Sequence, residues 1–444
     1  MIKKLLLVLL LLNCTQTYAQ TIKTDILVIG GTPGGTAAAI QGARSKLKTL
    51  LIEPGPQLCP TMAQQTITTV STDKSLPSGI WGEFRKRVIA FYKTTAGYDT
   101  AYNAPLRLEP YTGAAILKKM ADTVKNLTVK LNAPLSTIKK DGDGWQVTIS
   151  QDGKLQLIKA KVVIDATSGA SIAEKLKINF IPFDFKAGNG QATAFRTSIA
   201  MGDSFPRQTD ATVSTANYPQ LPAYCIPLNA IVARGLDNLL VIGNFFPDDD
   251  LQYLPKQLTL GQGAGVTAAF CAFFKTTTKN INVRLVQGEL LDFKGYLLPF
   301  ADIKPADPYL RSIQQIAATG LLKGVQKTAG NSTIIAFMPD SAVTTAEIEP
   351  VLNDIYTRTF LWFNREKPSA KFTVGNVFSL ISEITLTDPK TLQIGMTKAW
   401  KTEYRFTSPI DQGRPVTRRE FAILINKFLN PFARTIDIGG RFVN

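Results

Sequence analysis

Four glycines within six positions, Gly30, Gly31, Gly34 and Gly35, and a carboxylate 23 residues after the first, Glu53, are the residues best placed for binding chemistry. Missing side chains let a pyrophosphate approach the backbone, and the N-terminus of a following helix offers unpaired N–H groups and a positive dipole end. A carboxylate at the end of the next strand accepts from ribose hydroxyls. Thr32 stands where the G-x-G-x-x-G pattern has its second glycine. The flanking sequence supplies the required elements. Asp25 to Ile29 reads as a buried strand, Thr36 to Arg44 as an Ala-rich helix and Thr49 to Glu53 as a second strand. Together they make a dinucleotide-binding unit.

Two later stretches repeat the pattern of an apolar strand running into small residues. Val162-Val-Ile-Asp-Ala-Thr-Ser-Gly169 ends one strand, and Asp237-Asn-Leu-Leu-Val-Ile-Gly243 is another. Leu258 to Phe270 then reads as a glycine-rich helix start running into an Ala-rich packed helix. Three such pieces in order point beyond a simple nicotinamide domain to FAD, whose longer molecule spans an interrupted sheet. A helix start at Gly261 would face the flavin ring and stabilise negative charge on it; the alternative is close packing of small residues. Between the first and second pieces lie a helix from Gly79 to Tyr92, a helix from Gly113 to Lys125, and short strands separated by the turn Lys140 to Gly144.

Composition narrows the chemistry. The chain has 444 residues, no histidine and a formal charge of +16. Histidine triads, histidine metal sites and histidyl flavin attachment are excluded, and proton transfer falls to other groups. Lys3 and Lys4, the apolar run Leu5 to Leu12 and Thr17-Tyr-Ala19 read as a signal peptide cut after Ala19, so the mature chain is expected to be exported. Cys14 suggests a lipid-modified alternative, but Asn13 before it fits that processing poorly. Cys59, Cys225 and Cys271 then remain, too few for a disulfide framework. Export makes nucleic acid an unfavoured partner. The scattered basic groups imply a solvated surface or attraction to an anionic envelope.

These ordered motifs resemble the secreted FAD-dependent oxidoreductases of bacteria, within the broad class that has a glutathione-reductase-like FAD domain. The resemblance runs from about Thr24 to Leu291 and implies a Rossmann-like α/β domain with non-covalent FAD. By it, Gly30, Thr32, Pro33, Gly34 and Gly35 hold the pyrophosphate and Glu53 the adenosine ribose. Leu135 lies near the adenine, Ala166 and Thr167 lie beside the phosphates, and Gly243, Gly261 and Gln262 follow the ribityl chain and ring. Asp73 and Gly79-Ile-Trp81 fall where the family has a conspicuous loop. The chain departs from the family at two places. Cys59-Pro-Thr-Met62 replaces Gly-Gly-Met, and Ala166-Thr-Ser168 replaces Ala-Thr-Gly.

Residues 170–233 are expected to form a β-rich substrate cap, in which Arg196 clamps a carboxylate or polarises a carbonyl; Asp73 is a second catalytic candidate. Beyond residue 297 the pattern turns helical. Thr344 with Glu347, and Thr417 with Glu420, fit capping boxes. These two pieces resemble S-layer homology modules, which bind cell-wall glycans, and residues Phe360 to Lys371 read as a linker between copies. The expectation is an exported oxidoreductase of residues 20–297 acting on a small organic or sugar-like substrate, with a helical domain over 298–444. The alternative is a non-enzymatic, glycan-binding envelope protein on the same scaffold.

Overall fold

A computed structural model of the protein describes residues 21–66, 68–70, 76–101, 104–178, 194–202, 225–329 and 332–443. The first unit is β1 (Ile22–Ile29), α1 (Pro33–Arg44) and β2 (Thr49–Ile52). Helices α2 (Gly79–Tyr92) and α3 (Pro110–Asp122) follow, then β3 (Leu127–Lys130), β4 (Leu135–Asp141), β5 (Gly144–Gln151) and β6 (Lys154–Asp165). Strand β6 is paired by β1 along one edge and by two strands in turn along the other. Its first half pairs antiparallel with β5, and its last residues pair parallel with β9 (Leu239–Val241). The parallel order is therefore β3-β2-β1-β6-β9, with β4 and β5 as an antiparallel extension.

Strand alternation divides the core. Ile26 and Val28 face the larger apolar cluster, whereas Leu27 and Ile29 face the smaller one with Trp145, Val163 and Leu239. On the larger side lies α4 (Leu254–Phe274), apolar on every face and almost wholly buried. Pro255 begins this helix, so it starts before the glycine-rich stretch. Gly261 lies two turns inside, where its Cα side meets Gly34: a Cβ there would stand 2.1 Å from the Gly34 carbonyl oxygen. Close packing thus explains these glycines. Helix α5 (Val283–Asp292) completes the domain. Of the expected cap, β7 (Ser198–Met201) and β8 (Cys225–Pro227) form a short antiparallel ribbon; residues 179–193 and 203–224 lie outside the described residues.

The C-terminal part contains α6 (Leu310–Thr319), a ribbon of β10 (Val325–Ala329) and β11 (Ser332–Ala336), and helices α7 (Thr345–Ile355), α8 (Thr357–Glu366), α9 (Val374–Thr385), α10 (Pro389–Thr402) and α11 (Arg418–Phe428). The expected linker at Phe360 to Lys371 is mostly helix α8, anchored in the core by Trp362 and Phe363. Three short extended segments, each entering a helix, meet head to tail. Val343 N donates to Val416 O (3.0 Å), Val416 N to Phe372 O (2.9 Å) and Phe372 N to Val343 O (2.9 Å), closing a three-membered backbone ring. Sequence reading found two of these repeats. The third starts at Thr373, whose capping partner is Asn376 rather than glutamate.

The two capping boxes expected from sequence part company. Thr417 and Glu420 form theirs. Thr344 makes no side-chain cap, and the Glu347 carboxylate accepts two bonds from Arg418 Nη1 (2.6 and 2.7 Å) rather than closing the box. Arg418 is 4% exposed and also donates to the carbonyls of Phe337 and Lys323, so it pins the Thr344 repeat to the Thr417 repeat.

Candidate functional site

The carboxyl ends of the parallel strands converge on the β1–α1 turn. Gly30 adopts φ +105°, and a Cβ there would sit 2.5 Å from the Ala166 carbonyl oxygen, so only glycine turns the chain between β1 and β6. Thr32 is the N-cap of α1. Its hydroxyl accepts from Gly35 N (3.1 Å) and donates to Ala166 O (3.0 Å). The threonine therefore ties the turn to β6, and Pro33 occupies the first turn of the helix. Pro33 has no N–H and the Gly35 N–H is taken by Thr32, so the Gly34 N–H and the positive dipole end are what this helix start offers an anion.

Glu53 follows β2 and is buried. Its Oε2 accepts from Gly31 N (2.7 Å) and its Oε1 from Gly55 N (2.9 Å), which aims the carboxylate along the turn. Each oxygen retains acceptor capacity for a hydroxyl. Ala133 N donates to Glu53 O (3.0 Å), bringing the half-buried Leu135 to the same end of the crevice. On the other side of β1, Asp165 is fully buried. It accepts from Thr167 N, the Thr167 hydroxyl and Ala173 N, which fixes the turn carrying Ala166 and Thr167. Burial raises its pKa, opposed by those bonds.

Cys59 stands where the resembling family has glycine, and the structure shows why. It adopts φ +53° and donates its N–H to Gly31 O (2.6 Å). A left-handed non-glycine residue is costly, and packing holds it there. Burial pushes its thiol up to about 12, with the Thr36 hydroxyl opposing, so it is no thiolate nucleophile at neutral pH.

Gly243 is bonded into the β6 turn, accepting from Gly169 N (3.1 Å) and donating to Asp165 O (3.3 Å). Two residues beyond it escaped sequence reading: Asn244 and Asp248. Each has a buried side-chain oxygen without a hydrogen-bond partner, Asn244 Oδ1 and Asp248 Oδ2. Their signal was weak, being polar residues in a loop. Burial lifts the Asp248 carboxyl to about 6, with the Ser168 hydroxyl opposing and Asp249 adding.

Three expected residues are placed elsewhere. Gln262 is buried in α4, where its Oε1 accepts from Ile80 N (3.1 Å) and its Nε2 donates to Gln41 Oε1 (3.1 Å) and Phe293 O (3.3 Å). It joins α1, α2 and α4, and with Gly261 belongs to the packing behind the crevice. Arg196 is also buried, donating to Thr319 O (3.1 Å), Gly440 O (3.5 Å) and Asp354 Oδ2 (3.2 Å), with its guanidinium 4.3 Å from the Phe442 ring centre. These partners belong to the C-terminal part, so Arg196 is an interdomain clasp and is unavailable to a substrate. Asp73 lies outside the described residues.

Residues 25–181 match the family model described as FAD dependent oxidoreductase. The match takes in the glycine turn, Glu53 and the turn after β6. FAD is the cofactor of this domain. The unpartnered acceptors over β6 and β9, the helix N-terminus and Glu53 fit that molecule: an anion site between two groups that accept from hydroxyls. Two curated relatives, digeranylgeranylglycerophospholipid reductases of Thermoplasma volcanium and Thermoplasma acidophilum, are 30% and 29% identical over 157 residues, 32% of this chain. The chain covers 38% of the length of each. Among solved structures, the anhydrotetracycline hydroxylase OxyS from Streptomyces rimosus is 15% identical, with a TM-score of 0.30 over 37% of this chain and 35% of that one. The rebeccamycin biosynthetic enzyme RebC with reduced flavin is 16% identical, with a TM-score of 0.28 over 36% of each chain.

Proposed function

We propose that this protein is an exported FAD-dependent oxidoreductase of the glutathione-reductase type, moving hydride between non-covalent FAD and a small organic or sugar-like substrate. The observation that carries the reading is the crevice itself, with the α1 N-terminus between Glu53 and the loop after β9. Bound FAD supplies the hydride chemistry. The chain's own residues do the positioning: α1 receives the pyrophosphate, Glu53 accepts from the adenosine ribose, and the turn at Ala166 and Thr167 supports the phosphates from the β6 side. The signal-like segment supports export, although residues 1–20 lie outside the described residues. No helix among the described residues is long and apolar enough to cross a membrane.

Protein purified from its natural compartment should be yellow and release FAD on denaturation. Colourless protein that takes up no added FAD would overturn the reading. The three-membered ring, with its resemblance to S-layer homology modules and a surface cavity of about 510 Å³ lined by Arg365, Ser379, Glu383 and Asp388, favours a second reading as an envelope-glycan binder. The burial of Arg418 on Glu347 argues against the form of that reading in which Arg418 holds an anionic glycan. Sedimentation with purified envelope glycan at low salt tests it.

A further inference from the structure

Helix α4 begins beside the crevice and, at 21 residues, carries the chain roughly 30 Å to the opposite edge of the sheet. It is buried for nearly its whole length and then ends in two exposed rings, Phe273 (66%) and Phe274 (54%). Their centres are 5.0 Å apart, and Phe274 also lies 4.8 Å from Phe270. Lys275 follows in the left-handed conformation (φ +51°), which ends the helix and leaves the rings at its tip. Single apolar residues at a surface are ordinary, but a packed aromatic pair at the tip of a core helix is not.

The same helix end lines a cavity of about 390 Å³. Cys271 and Trp145 are buried in its wall, and Lys23, Lys159, Lys161 and Lys275 surround it. Four lysines against two aspartates, Asp141 and Asp143, leave the lining at a net charge of +2. Asp141 is already paired with Lys159 (3.0 Å), and Asp25, next to Thr24 of the wall, with Lys161 (2.7 Å). Lys48 adds a further positive charge at this edge, since its carbonyl accepts from the Thr24 hydroxyl (2.8 Å). Among the described residues, no carboxylate pairs with Lys23, Lys48 or Lys275, all three of which are exposed. A positive wall adjoining an exposed aromatic pair matches a surface that is anionic at headgroup level and apolar just beneath it.

We infer that this edge of the sheet is a contact surface for anionic phospholipid, with a headgroup phosphate beside Lys23 and Lys275 and the Phe273 and Phe274 rings at the acyl boundary. The inference stands apart from the FAD reading. Lysines meet a lipid phosphate as point charges, so the field of the group matters more than one exact geometry, and salt weakens it. Each lysine near an anionic leaflet strengthens binding about fivefold. Because the crevice lies at the carboxyl ends of the strands, a molecule held this way turns the crevice away from the lipid.

The test is sedimentation of full-length protein, as purified, with vesicles of equal parts phosphatidylcholine and phosphatidylglycerol, and with vesicles of phosphatidylcholine alone. The protein should bind the mixed vesicles, leave them as salt rises, and ignore the neutral ones. Phe273→Ser combined with Phe274→Ser should weaken binding about tenfold or more, and Lys23→Gln and Lys275→Gln about fivefold each. These side chains lie at the surface, so the melting temperature should stay that of wild type. Phe273→Trp keeps an aromatic ring; it should bind as wild type does and shift its emission to the blue on mixed vesicles. Failure to bind mixed vesicles overturns the inference. Binding that heparin removes and the serine changes leave intact would show a polyanion contact without lipid, and a wild-type dimer that the serine changes abolish would show a second copy on the patch; either overturns it.

Discussion

At the scale of single residues, the site is built from groups that hold one another before they hold a ligand. Glu53 accepts two backbone N–H bonds, and a ribose would add charge-assisted bonds of roughly 1.5–3 kcal/mol each. Glu53→Ala should therefore weaken FAD by at least about tenfold; unchanged affinity in a folded variant would remove Glu53 from the site. Asp248 makes a prediction in pH. Its carboxyl is raised from the usual 3.8 to about 6 by burial, so its contribution to stability is fully present below pH 3.8 and is lost as pH rises through 6. In cofactor-free protein, Asp248→Asn should match wild type near pH 4 and exceed it by up to about 3 kcal/mol near pH 7. Denaturant melts at the two pH values decide this, and a gap independent of pH would refute the buried-carboxyl account.

At the scale of elements, local signals were legible and distant ones were not. The β1–turn–α1–β2 unit, the span of α2 and the strands that follow were all readable, because periodicity and turn residues are properties of neighbours in sequence. The start of α4 was misjudged because its glycines suggested a helix start at Gly261, when they mark close approach to α1. The third C-terminal repeat was hidden by a single change, Asn376 where glutamate would complete the pattern. The caps give a graded test. Thr417→Ala should cost about 1 kcal/mol and Thr344→Ala much less, since only the former has a capping bond. Arg418→Ala should cost about 3 kcal/mol or more, because it leaves Glu347 without its partner. Thermal melts that rank Arg418 below Thr417 would contradict this order.

At the scale of the whole molecule, the parts divided by sequence reading share one interior. The larger apolar cluster runs from Ile26 to Ile436 without a break. Two buried arginines sit at the junction. Arg284 Nη1 donates to Arg196 O (3.2 Å), Gln287 Nε2 donates to both Arg196 O and Ser198 O, and the Arg284 guanidinium lies 4.8 Å from the Phe432 ring centre. Burial and the charge of Arg196 lower the Arg284 pKa to about 9. The partners of Arg196 lie 123, 158 and 244 positions away, which is why no local pattern revealed its role. A chain ending after residue 297 should expose this cluster and fail to fold, and full-length protein should melt in one transition. Two well-separated calorimetric transitions, or a soluble FAD-binding fragment, would show independent domains instead.

The backbone ring has a consequence in time. Its last member, Val416, lies 73 residues after Val343 and 44 after Phe372, and without it neither of those completes the circle. Loops of this span close late, after nearby helices have formed. The crevice end of the protein can begin to fold while the chain is still emerging, but the ring cannot. The Arg196 clasp waits for the same tail, because it draws on Gly440 and Phe442. Assembly of this wall therefore waits for residues 416–442, and a nascent chain that stalls before them carries the beginnings of a cofactor crevice with its supporting wall still open.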